Sequence, residues 1–116
     1  MPRFHPILIA DDDPDLTEVM ASALAEAGYT VLTSANGYEA IGVLADNWIS
    51  LLITDITMAG IDGFELARQA KVMRPTIKVI YLSGTPAKSD DAIHGPVIQK
   101  PMRLADLVGE VQRQLV

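Results

Sequence analysis

The chain has 116 residues, of which 49% are apolar and 21% charged, with a formal net charge of −6 and no cysteine. This length and apolar content predict one domain with a single core, and we expect residues 1–116 to contain no separate output domain. Without cysteine, disulfides, thiolate catalysis and zinc fingers are excluded. The acidic charge and scattered basic residues argue against direct nucleic-acid binding. No apolar run reaches the roughly 20 residues of a membrane helix, so we expect a cytoplasmic protein without membrane contact.

Five short apolar runs, most of them rich in β-branched residues, recur along the chain. They cover residues 7–10, 30–33, 51–54, 78–82 and 96–98. Continuous apolar runs of this length are typical of strands buried on both faces of a parallel sheet.

Segments with helical period lie between these runs. The first places six apolar residues on one predicted face: Leu16, Val19, Met20, Ala23, Leu24 and Ala27. Asp13 is its predicted cap, Pro14 suits its first position and Gly28 its end. Further helices are predicted over 38–46, 63–73 and 104–115, whereas residues 85–95 predict only a short or irregular fourth helix. This alternation indicates an α/β fold, a doubly wound five-stranded parallel sheet flanked by helices.

Polar residues follow four of the five predicted strands. They are Asp11 to Asp13 after the first, Asp55 after the third, Ser83 after the fourth and Lys100 after the fifth. Ligands of open α/β sheets bind outside the carboxyl ends of the strands, so we expect these side chains to converge at one edge. Residues 34–36, after the second strand, carry no obvious chemistry.

The converging side chains suit phosphoryl transfer. Carboxylates brought close together repel one another and recruit a hard cation, and oxygen ligands without histidine or cysteine favour Mg²⁺ or Mn²⁺. A carboxylate such as Asp55 can attack phosphorus beside such a cation. Lys100 adds a positive charge, and the Ser83 hydroxyl can donate to a phosphoryl oxygen. Each residue alone has an ordinary structural role, as a cap, a turn residue or a solvated charge, but all four clusters together favour a site.

Three segments resemble the response-regulator receiver domains of two-component systems, which have a flavodoxin-like fold. They are the run from Ile7 to Pro14, the stretch from Ile53 to Gly63 and the pair Lys100-Pro101. The resemblance covers nearly the whole chain. It implies that Asp55 accepts a phosphoryl group, that Asp11, Asp12, Asp55 and the Thr57 carbonyl bind the metal, and that Ser83 and Lys100 contact the phosphoryl group. It also implies a cis peptide bond before Pro101.

The resemblance implies a signalling domain that catalyses only its own phosphorylation and dephosphorylation. Its phosphodonor would be a histidine kinase or histidine phosphotransfer protein, and its downstream partner is not readable from the sequence. Homodimerisation through the last two elements is compatible with the family. Thr57 and Thr85 occupy positions that tune phosphoryl lifetime, and because neither is an acid or amide we expect slow autodephosphorylation.

Two departures from the family pattern concern signal output. Val97 stands where the family commonly has an aromatic switch residue, and the segment between Ser83 and Lys100 is shorter than usual. Tyr81 lies close by, but we expect it to be a sheet residue. These departures leave open an alternative, a receiver-like interaction module that signals without phosphorylation.

Other enzyme classes fit less well, and most remaining conspicuous residues are expected to be structural. A haloacid-dehalogenase-like phosphatase needs a second aspartate where Thr57 stands, and a dinucleotide enzyme needs a glycine-rich turn where the acids stand. Trp48 is expected to cover the edge of the core, and Met20 and Met73 to lie within it.

Overall fold

The computed structural model describes residues 5–85 and 94–116, and its five strands form one parallel sheet. The strands are β1 (Ile7–Ala10), β2 (Val31–Ser34), β3 (Leu51–Asp55), β4 (Lys78–Ser83) and β5 (Val97–Gln99). Their order is β2-β1-β3-β4-β5. The predicted sheet is therefore confirmed, and every strand coincides with its apolar run to within one residue at either end.

Four helices connect or follow the strands. They are α1 (Pro14–Glu26), α2 (Gly37–Asp46), α3 (Gly63–Met73) and α4 (Leu104–Gln114). Side chains cap the first three: Asp13 accepts from the backbone N–H of Leu16, Asn36 from Glu39 and Asp62 from Glu65. Each cap satisfies an N–H group that the first turn leaves unpaired. No described helix is long and apolar enough to cross a membrane.

Apolar layers cover both faces of the sheet, as a doubly wound fold requires. On one face, β-strand side chains pack against Leu44 of α2 and Leu66 of α3. On the other, they pack against Met20 of α1 and Leu107 of α4. Because successive side chains of a strand point to opposite faces, the apolar runs supply both layers at once.

The face of α1 that is buried against the sheet differs from the predicted apolar face. Met20 and Leu24 are fully buried and Thr17 nearly so, whereas Val19 is 48% exposed and Ala27 is also exposed. Helical spacing groups residues on a face but does not say which of two adjoining apolar positions meets the sheet. The buried line runs through Thr17, Met20 and Leu24, which leaves Val19 on the flank.

One further prediction of burial, that of Met73, was wrong. Met73 ends α3 and is 38% exposed, because the last turn is not covered as the middle of the helix is. Trp48 is 57% exposed, and the Arg74 guanidinium carbon lies 4.2 Å from the centre of its ring. The predicted short fourth helix falls largely on residues 86–93, which lie outside the described residues.

Candidate functional site

The strand order brings the acidic residues together. β1 lies between β2 and β3, and Ala10 pairs with Thr54, so Asp11 and Asp55 emerge side by side at the carboxyl ends of adjacent strands. The chain crosses from one side of β1 to the other at this point, where open α/β sheets form their ligand crevices. Lys100 follows β5, and its backbone N–H donates to the Ser83 carbonyl over 2.7 Å. All four predicted clusters therefore lie at one edge.

Three carboxylates form the centre of the site. One oxygen from each of Asp11, Asp12 and Asp55 lies within 4.8 Å of the other two. Asp11 and Asp55 are only 2% and 7% exposed, whereas Asp12 is exposed to solvent. The three carboxylates therefore form a negatively charged cluster that is open to solvent on the side of Asp12.

Lys100 joins the two buried acids. Its Nζ lies 2.9 Å from Asp11 Oδ2 and 3.3 Å from Asp55 Oδ2. Burial by itself would lower the pKa of Lys100, but the hydrogen bond to Asp11 and the charges of both acids outweigh burial and raise it. The ammonium group therefore stays charged and offsets part of the repulsion between the acids. The Lys100–Pro101 peptide bond is cis, as the resemblance implies.

Asp55 is less readily ionised than an ordinary aspartate. Burial raises its pKa most, and the charge of Asp11 raises it further. Lys100 and a weaker backbone contact with Thr57 oppose this rise without cancelling it. A carboxylate with little solvation and a fixed cation beside it is suited to act as a nucleophile.

Backbone groups orient the acids. The N–H of Asp13 donates to Asp11 Oδ1 over 3.0 Å, which fixes one oxygen while the other meets Lys100. Gly63 begins α3 directly beneath the acceptor: a Cβ atom added there would lie 2.3 Å from the carbonyl oxygen of Asp55. The backbone of α3 can approach the end of β3 only because residue 63 is glycine.

Ser83 reaches the same edge but does not contact the acids. Its hydroxyl donates to the Thr85 carbonyl over 2.5 Å, and the Thr85 N–H donates back to it over 3.3 Å. The hydroxyl is thus held by its own turn in this structure. Among the residues predicted for the site, Ser83 is brought near but is not engaged.

Tyr81 and Val97 are paired across β4 and β5. Tyr81 is fully buried in β4, which confirms it as a sheet residue, and its ring lies 5.4 Å from that of Phe64. Its hydroxyl makes no hydrogen bond of ordinary geometry within the described part of the chain. Burial raises the pKa of Tyr81, and a weak backbone contact with His94 opposes this rise.

A cleft beside the acids was missed in the sequence. It has a volume of about 540 Å³ and is lined by Asp12, Thr17 and Glu18 from one side and by Ser34 and Glu39 from the other. The segment after β2 had shown no obvious chemistry, since it lacks charged residues. Its position beside β1 is a property of strand order, which apolar runs alone do not give.

The donor set fits a hard divalent cation. All three clustered side chains offer carboxylate oxygens, and no histidine or cysteine belongs to the cluster within the described ranges. Such ligands suit Mg²⁺ or Mn²⁺ with water in the remaining positions. The exposed Asp12 leaves the cluster open to an entering ion.

Known proteins show the same sequence pattern. The profile of the response regulator receiver domain matches residues 7–112. The response regulator receiver protein CpdR of Brucella abortus is 39% identical over 115 residues, which are 95% of this chain and 96% of that protein. The DNA-binding transcriptional regulator NtrC of Azospirillum brasilense is 33% identical over 114 residues, which are 94% of this chain but only 24% of NtrC.

Solved structures agree with this comparison. The receiver domain of the hybrid histidine kinase CckA matches with a TM-score of 0.85 and 33% identity, over 96% of this chain and 99% of that chain. The response regulator TrrA of Thermotoga maritima, solved in complex with Mg²⁺ and BeF, matches with a TM-score of 0.88 and 29% identity, over 96% and 99% of the two chains. The sequence match over most of the chain, the sheet order and these likenesses show that the chain belongs to the response regulator receiver domain family.

Proposed function

We propose that the chain is the phosphoacceptor of a two-component phosphorelay and that Asp55 takes the phosphoryl group. The observation that carries this proposal is the position of Asp55, buried beside Asp11 and Asp12 and 3.3 Å from the Lys100 ammonium. An isolated buried acid would protonate, whereas one beside a permanent cation can stay ionised and react.

In the proposed reaction a carboxylate oxygen of Asp55 attacks phosphorus and forms an acyl phosphate. The bond between phosphorus and the donor atom breaks, and the donor leaves with that electron pair. With a phosphohistidine donor the leaving imidazole nitrogen keeps the pair and is free to take a proton from water. Lys100 faces the phosphoryl oxygens, on which negative charge develops during transfer. Stabilising that charge is usually the largest electrostatic contribution to such a reaction.

Three carboxylates and one carbonyl are the proposed metal ligands, from Asp11, Asp12, Asp55 and Thr57. A bound Mg²⁺ or Mn²⁺ supplies positive charge that offsets the repulsion between Asp55 and an incoming phosphoryl group. The TrrA complex with Mg²⁺ and BeF supports this assignment by similarity.

Ser83 is proposed to turn toward the phosphoryl group after transfer. Its hydroxyl would exchange the Thr85 carbonyl for a phosphoryl oxygen, which is a stronger, charged acceptor. The turn at 83–85 would then shift. Through this movement, phosphorylation at Asp55 would change the conformation next to β5, the strand at the neighbouring edge of the sheet.

The partners follow from the same proposal. The phosphodonor is a histidine kinase or a histidine phosphotransfer protein, and the downstream partner is a protein or output domain of unknown identity. We infer a cytoplasmic signalling domain that turns over no external substrate and does not contact nucleic acid directly. A homodimer is compatible with the proposal and is not required by it.

Intact-mass spectrometry with acetyl phosphate tests this function. With Mg²⁺ present, the wild-type chain is expected to gain one phosphoryl mass, and Asp55→Asn none. A chelator is expected to abolish the gain, because the acids then repel the donor. No gain in the wild type, with a donor-competent receiver run alongside, would contradict the proposal.

A second candidate function is an interaction module that does not use phosphorylation. The observation that favours it is Val97, a small aliphatic residue at the usual aromatic position, which faces Tyr81 across the strands. This module would bind its partner equally with and without a phosphoryl group. The complete acidic cluster with Lys100 favours the phosphoacceptor.

The phosphoryl group on Asp55 is expected to be long-lived. Thr57 and Thr85 follow the acceptor and Ser83 by two residues, and a threonine hydroxyl orients an attacking water less well than a carboxylate or amide does. Replacing Thr57 by Gln is therefore expected to shorten the lifetime, measured as loss of the phosphoryl mass after donor removal. Equal lifetimes for the two chains would contradict this prediction.

A further inference from the structure

A group of basic and aromatic side chains lies at the end of the sheet opposite the acids. It consists of Trp48, Lys71, Arg74 and Lys78, which we call the basic patch. Trp48 shortly precedes β3 and Lys78 begins β4, so both lie at the amino ends of strands whose carboxyl ends carry the site. None of the contacts described for the acids involves this patch.

Arg74 is fixed over the exposed ring of Trp48. The guanidinium carbon lies 4.2 Å from the ring centre, and Nη2 donates to the Asn47 carbonyl over 3.1 Å. Its Nε is buried and makes no hydrogen bond among the described residues. Such a cation over an indole face is favourable, and it presents a rigid surface.

The positive charges of the patch are not neutralised within the described part of the chain. Arg68 and Arg113 form ion pairs with Glu65 and Glu110, whereas Lys71, Arg74 and Lys78 form none. Burial lowers the pKa of Lys71, and the nearby charge of Lys78 lowers it further. Three like charges therefore lie together on a chain whose net charge is −6.

A small cavity adjoins the patch. It has a volume of about 200 Å³, and Trp48, Ile77 and Lys78 contribute to its lining. An indole ring and cations that form no ion pair among the described residues thus adjoin a cavity.

We propose that the basic patch docks a short acidic peptide segment of a partner protein, with an apolar side chain in the cavity, independently of phosphorylation at Asp55. Charge complementarity selects the occupant, because carboxylates of the peptide would neutralise the three cations. Trp and Arg are also the residue types that most often dominate binding energy at interfaces. A short peptide is favoured over nucleic acid because three cations suffice for a few carboxylates, whereas a continuous phosphate backbone needs a larger basic surface.

Selection from a displayed library of short random peptides tests this proposal. Peptides that bind the wild-type chain are expected to be enriched in Asp and Glu around one or two apolar residues. Synthetic copies are then titrated while the fluorescence of Trp48, the one tryptophan, is followed. A selection that yields no binders, or binders without acidic residues, would overturn the proposal.

Two charge reversals locate the binding. Lys78→Glu is expected to weaken the selected peptides by about tenfold or more, as for a central interface residue. Arg103→Glu makes the same charge change at an exposed residue directly before α4, at the end of the sheet opposite the patch, and is expected to alter affinity by less than about twofold. Trp48→Ala, followed by calorimetry, is expected to match Lys78→Glu. Equal affinities for all chains would overturn the proposal. A dimer of the peptide-free wild-type chain that Lys78→Glu dissociates would also overturn it, because the patch would then be assigned to a second copy.

Independence from the acidic site is measured with beryllofluoride and Mg²⁺. Peptide affinity is expected to be unchanged by these additions. A marked change would overturn the independence, whereas failure of Asp55 to accept a phosphoryl group would leave the peptide result unaffected.

Discussion

At the residue scale, the acids of the site differ in burial, and their expected roles in folding and in metal binding differ accordingly. Asp11 is buried and bonded both to Lys100 and to the backbone of Asp13, so it supports the structure as well as the proposed metal. Asp12 is exposed, and its carboxylate accepts no hydrogen bond from the part of the chain that the structure describes. Its carboxylate is therefore the one whose removal isolates metal binding from folding.

Asp12→Asn is expected to weaken Mg²⁺ binding and leave the metal-free fold intact. The loss should reach at least the roughly tenfold effect that even outer-shell substitutions produce. Thermal unfolding with increasing Mg²⁺ measures it, since a bound ligand stabilises the folded chain by mass action. Asp15→Asn is the matched control, an exposed acid three residues further on, in the first turn of α1 and outside the cluster. Similar Mg²⁺ responses of both variants would contradict the assignment.

Tyr81→Phe is expected to stabilise the fold by about 1 kcal/mol. The buried hydroxyl has no partner of ordinary geometry among residues 5–85 and 94–116, and an unpaired buried hydroxyl costs about 1–3 kcal/mol. The pKa of Tyr81 is raised by burial, so its contribution to stability is complete below its ordinary value of 10.0 and is lost as the pH rises through the raised value. The advantage of Phe should therefore widen above about pH 10. Urea unfolding across pH measures it.

The control for Tyr81 is Tyr38→Phe, whose ring is 65% exposed. That change is expected to stay within about 0.5 kcal/mol of the wild type. A destabilised Tyr81→Phe chain would show that the hydroxyl has a partner in solution.

At the scale of elements, the sequence predicts the type of a helix better than its orientation. Asp13, Pro14 and the apolar spacing correctly predict α1, because caps and period are local properties. The exposure of Val19 and the burial of Thr17 depend on how α1 packs against the sheet, which is not local. The close approach of α3 to Asp55 is likewise visible only in three dimensions, although Gly63 ends one of the segments that resemble the family.

Gly63→Ala is expected to destabilise the chain by about 1–3 kcal/mol, the usual cost of forcing atoms into a packed region. The added Cβ would collide with backbone at Asp55 and Ile56, which cannot move aside as a flexible side chain can. Gly42→Ala in α2 meets nothing within 4 Å and should instead stabilise by about 0.5–1 kcal/mol. Chemical denaturation of both variants measures the difference, and equal effects would contradict this account of α3.

At the scale of the whole molecule, strand order converts four separated sequence clusters into one site. The sequence predicts strands with polar ends, and parallel pairing then brings those ends to a common edge. It could not show that Lys100 would bridge Asp11 and Asp55, that Ser83 would be held by Thr85, or that the cleft beside β2 would open. Those features depend on distances between elements that are far apart in the chain.

The measurement that tests the central claim most directly is the location of the phosphoryl group among the three clustered acids. The chain is phosphorylated with acetyl phosphate and Mg²⁺ and then reduced with borohydride, which converts an acyl phosphate to the alcohol at the modified residue. Peptide mass spectrometry is expected to find the reduced residue at position 55 alone. Reduction at Asp11 or Asp12, or at none of the three after a confirmed gain of phosphoryl mass, would contradict the account.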